Sequence, residues 1–575
     1  MQKFINGKFG WLYLLIGIVL LNILVSRVST RYDMTTEKRY TLSQPVKNML
    51  GRLHEQVRID ILLEGNLKSG LRKLRNSTEA LLQEFNEYAD GNIHYRLVDP
   101  VAGGDDTSRA ILMDSLAKMG IQPMTQVAQS KKGEEQSQRI VIPAAIIKYK
   151  DREIPVDLLK GVQRSREGQS PEQLYVNAEN LLEYKFASAI DKLITDTLPA
   201  IGYLLGNGEP LDFRVYGLIQ HLRENFRFGV VPLDSVPYIP SRLNALIMVK
   251  PVQKFSDEQK LKLDQFVMRG GSLICMIDNL YAEMDSLQSV RETVAFDRGL
   301  NLDDLFFHYG LRINQDLVED MQCASINLVV GSQGGKPQFQ LLPWPYYPLL
   351  DGSPTSLITK NLDPVFSKFT NSIDTVQAPD IRKTILLQSS PNARTVSTPA
   401  MISLEMIKTA SDPKVFTQSN IPAGVLLEGK FRSLYANRIS AAKADSFNRV
   451  YNQPFLKSGT KDARVVVCAD GDLVLNELSE QRPLPLGFSK DINYTFANAE
   501  FLGNVLDYCT NPSGILEARS KDYSLRLLDP EKTEDDRGFW QLINIALPLV
   551  VIVLCGLIFQ YIRKTKYGAG NFYKS

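Results

Sequence analysis

Residues 245–277 read ALIMVKPVQKFSDEQKLKLDQFVMRGGSLICMI, and the order of residue types here decides the fold class. Ala245–Val249 is an unbroken apolar run of strand length. Ser256 and Gln259 stand at capping-box spacing before a helix that ends at Gly270-Gly271. Ser272–Ile277 is then a second apolar run. Upstream, Ala200–Leu205 is a buried-strand candidate, Gly206–Pro210 (GNGEP) a turn, and Val215, Leu218, Ile219, Leu222 and Phe226 mark one helix face. Downstream, Ala463–Cys468 runs into Ala469-Asp470-Gly471-Asp472, followed by a helix over Phe496–Tyr508. Strands alternating with helices predict a mostly parallel sheet. Residues 320–460, richer in proline and β-type runs, read as an insertion within a larger α/β unit spanning 199–512.

A smaller α/β unit precedes it, over 53–170. Val57–Leu63 alternates as a strand, Leu71–Tyr88 carries Leu74, Leu81, Leu82 and Phe85 near helical spacing, and Ile93–Val98 alternates again. A helix over Ser108–Met119, extended runs at Arg139–Tyr149 and Ile154–Leu158, and a polar loop Gln129–Gln138 complete it. Residues 26–52 form a connector, with Ser43 an N-cap and Pro45 in the first turn of a short helix. Residues 171–198 read as a helical connector between the units.

Two runs lack any charge, Phe9–Val25 and Trp540–Ile562. As helices they would reach about 26 Å and about 35 Å, against roughly 30 Å of hydrocarbon. The first competes with a cleaved signal peptide, but Ser26-Arg27-Val28-Ser29 offers no good small-x-small cleavage site. Lys3 and Lys8 before the first run, and Arg563, Lys564, Lys566 and Lys574 after the second, are unaccompanied by acids, which orients both tails (1–8 and 563–575) to the cytoplasm. The whole chain carries 66 basic and 64 acidic residues; without those six bases, 60 face 64. The body is therefore mildly acidic and extracytoplasmic, which excludes a nucleic-acid role. Asn22 and Asn544 lie at similar depth, and Pro548 frees the Asn544 carbonyl, so either the two spans pack through Asn22, Asn544 and Pro548, or each Asn faces a different membrane partner or the headgroups. Residues 513–539, charged over Glu517–Arg537, form a membrane-proximal stalk.

The chain offers little catalytic material. Cys275 and Cys468 sit inside apolar strands, where free cysteine is a small hydrophobe. His54, His94, His221 and His308 form no ligand spacing, and no cofactor or metal is expected. Gly331–Lys336 (GSQGGK) lacks Walker spacing and is followed by Pro337. Two features remain as a ligand or partner surface: Asn207 and Glu209 in the strand-end turn, and Trp344, Tyr346 and Tyr347 in the proline-framed loop LPWPYYP, Leu342–Pro348. The bland alternatives are a plain glycine turn and an internal cap over the sheet.

RYDMTTEKRYTLS (Arg31–Ser43), the Ala245–Ile277 block, LPWPYYPLL (Leu342–Leu350), VLLEGKFRSLYANR (Val425–Arg438) and WQLINIALPLVVIVLCGLIFQYIRKTKY occur in this order over nearly the whole chain. Together they resemble the gliding-motility-associated ABC transporter components of the GldG family. The resemblance implies a non-catalytic accessory subunit of the inner membrane, its bulk periplasmic, beside a separate permease and a separate cytoplasmic ATPase. It implies a small thioredoxin-like unit and a larger amidotransferase-like unit, the latter looking like a domain shared with intraflagellar-transport proteins. A tethered solute- or glycan-binding protein and a cell-envelope enzyme are the competing classes.

Overall fold

The computed structural model describes most of residues 41–99, 121–159, 171–404, 413–440, 453–520 and 537–567. The first apolar run with Asn22, the helix expected over Ser108–Met119 and most of the charged stalk lie outside the described residues, apart from scattered positions. Residues up to 521 form one unit and residues 522–575 another.

The N-terminal sheet has four strands: β1 (Val57–Ile61), β2 (Ile93–Leu97), β3 (Ala144–Tyr149) and β4 (Arg152–Asp157), in the order β2-β1-β3-β4. β1 and β2 are parallel, joined through α1 (Ser69–Tyr88), whereas β3 and β4 form an antiparallel hairpin. The run expected over Arg139–Tyr149 is divided. Its first part pairs with Met124–Gln129 in a hairpin outside this sheet, so the polar stretch expected as a loop is partly strand. α2 (Pro171–Ile194) is more than a connector: Ala178, Leu182, Phe186 and Ile190 share one core with Leu74, Leu82 and Phe85 of α1 and Val57, Ile59 and Ile61 of β1.

The large sheet contains β5 (Ala200–Leu205), β6 (Arg227–Pro232), β7 (Ala245–Val249), β8 (Ser272–Met276), β9 (Cys323–Gln333), β10 (Lys336–Gly352), β11 (Ile381–Gln388), β12 (Pro422–Gly429) and β13 (Ala463–Cys468). Their order is β9-β10-β11-β12-β13-β8-β7-β5-β6, and Val365–Phe366 adds a tenth short strand beside β10. β6, β5, β7, β8 and β13 are parallel; β12, β11, β10 and β9 continue antiparallel. The segment expected as an insertion therefore extends the sheet itself, which is mixed rather than mostly parallel.

Successive strand residues face opposite sides. Ala245, Ile247 and Val249 pack with Val215, Leu218 and Leu222 and with Phe501, Leu502 and Val505 of α5 (Asn498–Thr510). Leu246 and Met248 pack with Leu263, Phe266 and Val267 of α4 (Asp257–Met268). Helix α3 (Tyr216–Asn225) covers the first face and α4 the second, which explains why β7 is apolar at every position and β8 and β13 at all but Ser272 and Arg464. The capping box at Ser256 and Gln259 is formed, with both reciprocal bonds present.

Described by itself, the C-terminal unit holds α6 (Arg537–Tyr567), whose Gly538–Thr565 portion is long and apolar enough to cross a membrane.

Candidate functional site

Because β7, β8 and β13 are parallel and in register, the residues that follow them meet at one sheet end: Lys250, Asp278, and Asp470-Gly471-Asp472. The Lys250 amide donates to the Met276 carbonyl at 2.7 Å, extending the ladder one step beyond β7. Lys250 itself has a φ of 43°, a conformation a long side chain adopts only when its surroundings compel it. The β13 end passes close by: a Cβ on Gly471 would lie 2.7 Å from the Lys250 Cβ, so this crossing requires glycine. The Gly471 amide donates to the Asp278 carboxylate.

The Lys250 ammonium is buried and surrounded by acids. It lies 2.7 Å from Asp472 Oδ1, 3.0 Å from Asp278 Oδ2 and 3.3 Å from Glu283 Oε2. Arg298 donates to Glu283 Oε1 at 2.6 Å, and Lys368 Nζ to Glu477 Oε1 at 2.8 Å. Asp470 accepts from the Lys368 and Asp472 amides, each at 2.7 Å. Burial opposes the charge on Lys250, but the three carboxylates prevail and hold its ammonium well above the ordinary lysine range. Burial raises the Asp278 carboxyl, with Lys250 opposing. Asp470 is pushed well above its usual range by burial and then by Asp472 and Asp278. Asp472 is also penalised by burial, yet Lys250 and Lys368 hold it low.

Asp278, Asp470 and Asp472 bring carboxylate oxygens within 4.8 Å of one another, which is close enough to hold a cation. Lys250 already supplies one. A divalent ion would have to displace an ammonium that contacts two of the three, so the arrangement does not fit a metal centre while Lys250 is in place. A cleft of about 610 Å³ opens beside this cluster, bordered by Lys250, Glu283, Lys368, Asp472 and Glu477 on one side and by Ile326–Val330 of β9 on another.

The residues singled out in the sequence stand elsewhere. Asn207 and Glu209 are 1% and 7% exposed, at the end of β5. The order in which strands are added reverses between the parallel neighbours β5 and β7, where open α/β sheets leave a crevice. Here the crevice is closed, since the Asn207 carbonyl accepts from the Val252 and Gln253 amides, both at 2.9 Å. The Asn207 side chain bonds Gln259 and the Lys254 carbonyl at 3.2 Å, while Glu209 accepts from the Asn207 amide at 2.8 Å. These bonds fasten the GNGE turn to the segment between β7 and α4, while Glu209 Oε1 is buried without a hydrogen-bond partner.

LPWPYYP is likewise not a loop but the middle of β10. Trp344, Tyr346 and Tyr347 are 1%, 3% and 4% exposed and pack with Phe366 and Phe369. Tyr347 alone of the three borders the cleft. GSQGGK joins β9 to β10, a hairpin without the helix a phosphate loop needs. Cys275 and Cys468 are fully buried, and burial pushes both thiols far up. Asn544 and Pro548 lie in α6.

These features define an α/β protein whose sheet end carries a self-neutralised charge cluster, together with a candidate membrane-spanning helix. Residues 198–505 match a family described as an ABC-type uncharacterized transport system, and the chain belongs to that family. Residues 36–148 match a domain of unknown function. An uncharacterized protein of Borreliella burgdorferi is 19% identical over 553 residues, spanning 93% of this chain and 94% of that one. Among solved structures, the N-terminal domain of mmIFT52 aligns with 54% of this chain and 97% of its own, at 14% identity and a TM-score of 0.30. Family membership implies association with other ABC transport components in a membrane setting and a non-catalytic role.

Proposed function

We propose that this chain is a membrane-anchored accessory subunit of an ABC transporter linked to gliding motility. Its body is periplasmic, both termini are cytoplasmic, and a separate ATPase and a separate permease of the inner membrane complete the complex. The family match over the large sheet carries this reading, and the apolar helix Gly538–Thr565 supports the anchoring. The order β2-β1-β3-β4 supports a thioredoxin-like first unit beside the larger one. The subunit acts by binding and coupling rather than by catalysis, because its strand-end charges are spent on one another. Purification of the full-length chain in mild detergent should bring down a nucleotide-hydrolysing ATPase and a polytopic permease in fixed proportion. Recovery of the chain without either, from membranes that contain both, would overturn the proposal.

A second reading, a tethered solute-binding protein, is favoured by the cleft beside Lys250. The two converge if the solute is the transporter's cargo.

A further inference from the structure

The geometry points to a joint between the N-terminal core and the large sheet that closes more tightly when Asp507 of α5 takes up a proton, an inference independent of the transporter reading. The two cores are separate apolar clusters, and what joins them around Asp507 is polar. Asn511 of α5 donates to Asp191 of α2 at 2.9 Å, and Lys192 of α2 donates to Asn225 at the end of α3 at 3.2 Å. A cavity of about 310 Å³ lies among these contacts, bordered by Tyr184 and Lys192 of α2, Asp507 and Tyr508 of α5, and Leu516 and Glu517. Joints of this kind within one chain are expected to move, because little apolar area holds them shut.

Asp507 is enclosed here without a full partner. Its side chain is 17% exposed, and the Lys192 ammonium stands 3.9 Å from Oδ2, beyond hydrogen-bond length. The Tyr184 hydroxyl is the other group that steadies its charge. The remaining charges around the joint are engaged elsewhere. Arg382 of β11 and Arg464 of β13 share Glu428 of β12, which also accepts from the Tyr508 hydroxyl at 2.7 Å. Arg519 reaches Asn504 and the Lys360 carbonyl and is drawn toward Glu500, while Asp191 is held by Asn511. His221 of α3 faces α5 at Gly503, one turn before Asp507, and Glu517 is a further acid on the cavity wall. Burial therefore prevails and raises the Asp507 carboxyl above its ordinary range, with Lys192 and then Tyr184 opposing. Burial also pushes the Tyr184 hydroxyl far up, so it keeps its proton.

Opening the joint would return Asp507 to water and to its ordinary acidity. The closed joint then binds a proton more tightly than the open one, and by linkage proton uptake favours closure. That contribution is complete below the ordinary aspartate range and is lost as pH rises through the raised value, above which the closed joint holds a carboxylate that burial penalises. The sign is opposite to that of a simple ion-pair latch, which acid would open. Near neutral pH the same carboxylate biases the joint toward opening.

Hydrogen exchange of the full-length chain in lipid nanodiscs, corrected for the intrinsic pH dependence of amide exchange, reads the joint through the amides of Ile515–Ser520, which contact both cores. Between about pH 4 and pH 8 their protection should fall by about threefold or more as pH rises, a tenfold fall corresponding to one unit between the closed and open acidities. Asp507→Asn, which fixes the side chain neutral, should hold the higher protection across the range and exceed the parent at neutral pH. Lys192→Met, which withdraws the nearest cation, should lower protection more at neutral pH than near pH 4. Three results would overturn the inference: a flat profile in the parent chain, the parent's profile persisting in Asp507→Asn, or an Asp507→Asn chain less protected than the parent at neutral pH, which would make Asp507 an ordinary ion-pair partner of Lys192. The first of these is read on the unaltered chain and needs no variant to fold.

Discussion

At the level of single residues, Lys250 carries more of the site than any other side chain. Its ammonium offsets Asp278, Asp472 and Glu283 at once while almost inaccessible to solvent. Lys250→Met keeps the length and removes the charge, leaving buried acids uncompensated, a change that costs about 3–5 kcal/mol in comparable sites. The pH dependence separates charge from packing. Asp472 is held low, so its contribution exists above the ordinary aspartate range and is lost as pH falls through its folded pKa. Lys250 is held high, so its contribution is complete below the ordinary lysine range and is lost only as pH rises through its folded value. Asp278 and Asp470 are raised and work the other way, withdrawing stability as pH climbs past the ordinary aspartate range. The gap between Lys250→Met and the parent chain should therefore be wide near neutrality and shrink toward about pH 4, where the orphaned acids take up protons. Urea midpoints in detergent at the two pH values measure it. An equal gap at both would mean that Lys250 acts through packing.

Among the elements, β10 shows where a sequence pattern misleads. Prolines at 343, 345 and 348 read as a rigid loop, yet Pro343 occupies a ladder position that has no need of an amide, so the strand passes through it. The aromatic residues between the prolines then pack into a core, Tyr347 also bordering the cleft. Trp344→Ala should destabilise the body by about 3–5 kcal/mol, as truncation of a buried tryptophan does. A surface role would leave the unfolding midpoint unmoved. β7, β8 and β13 were legible from composition alone, because strands covered on both faces by α3, α5 and α4 are apolar except for Ser272 and Arg464 near two of their starts. The antiparallel half of the sheet was not, since β9 to β12 expose one face or one end and their runs are broken by polar residues. The charge cluster was hidden for another reason: Lys250 and Asp472 are 222 positions apart. The available signal was positional, a charged residue within one or two places of the end of each of three apolar strands.

For the molecule as a whole, the question is what makes the N-terminal core and the large sheet respond together. The segment Ile515–Ser520, which precedes the membrane-length helix in sequence, belongs to both. Ile515 and Ala518 lie in the core built on α1, α2 and β1. Arg519, 4% exposed, donates to Asn504 of α5 at 2.9 Å and to the Lys360 carbonyl at 3.3 Å, and its guanidinium lies over Tyr184 of α2. Burial lowers the pKa of that guanidinium, so the protein retains a costly cation where an apolar side chain would pack with less penalty. Geometry gives a reason, since a planar fork reaches a helix on one side and a loop on the other while stacking on the opposite core. Arg519→Met should weaken this link by about 1.5–3 kcal/mol, the range for hydrogen bonds to a charged group. The loss falls on the coupling between the cores rather than on either interior. Calorimetry of the full-length chain in detergent should therefore replace one cooperative transition with two, the N-terminal core melting first because its sheet has four strands against ten. Arg519→Lys keeps the charge but loses the fork, and should restore only part of the coupling. A single transition shifted as a unit in both variants would show that the cores are joined by other contacts and that Arg519 is no more than one buried side chain among many.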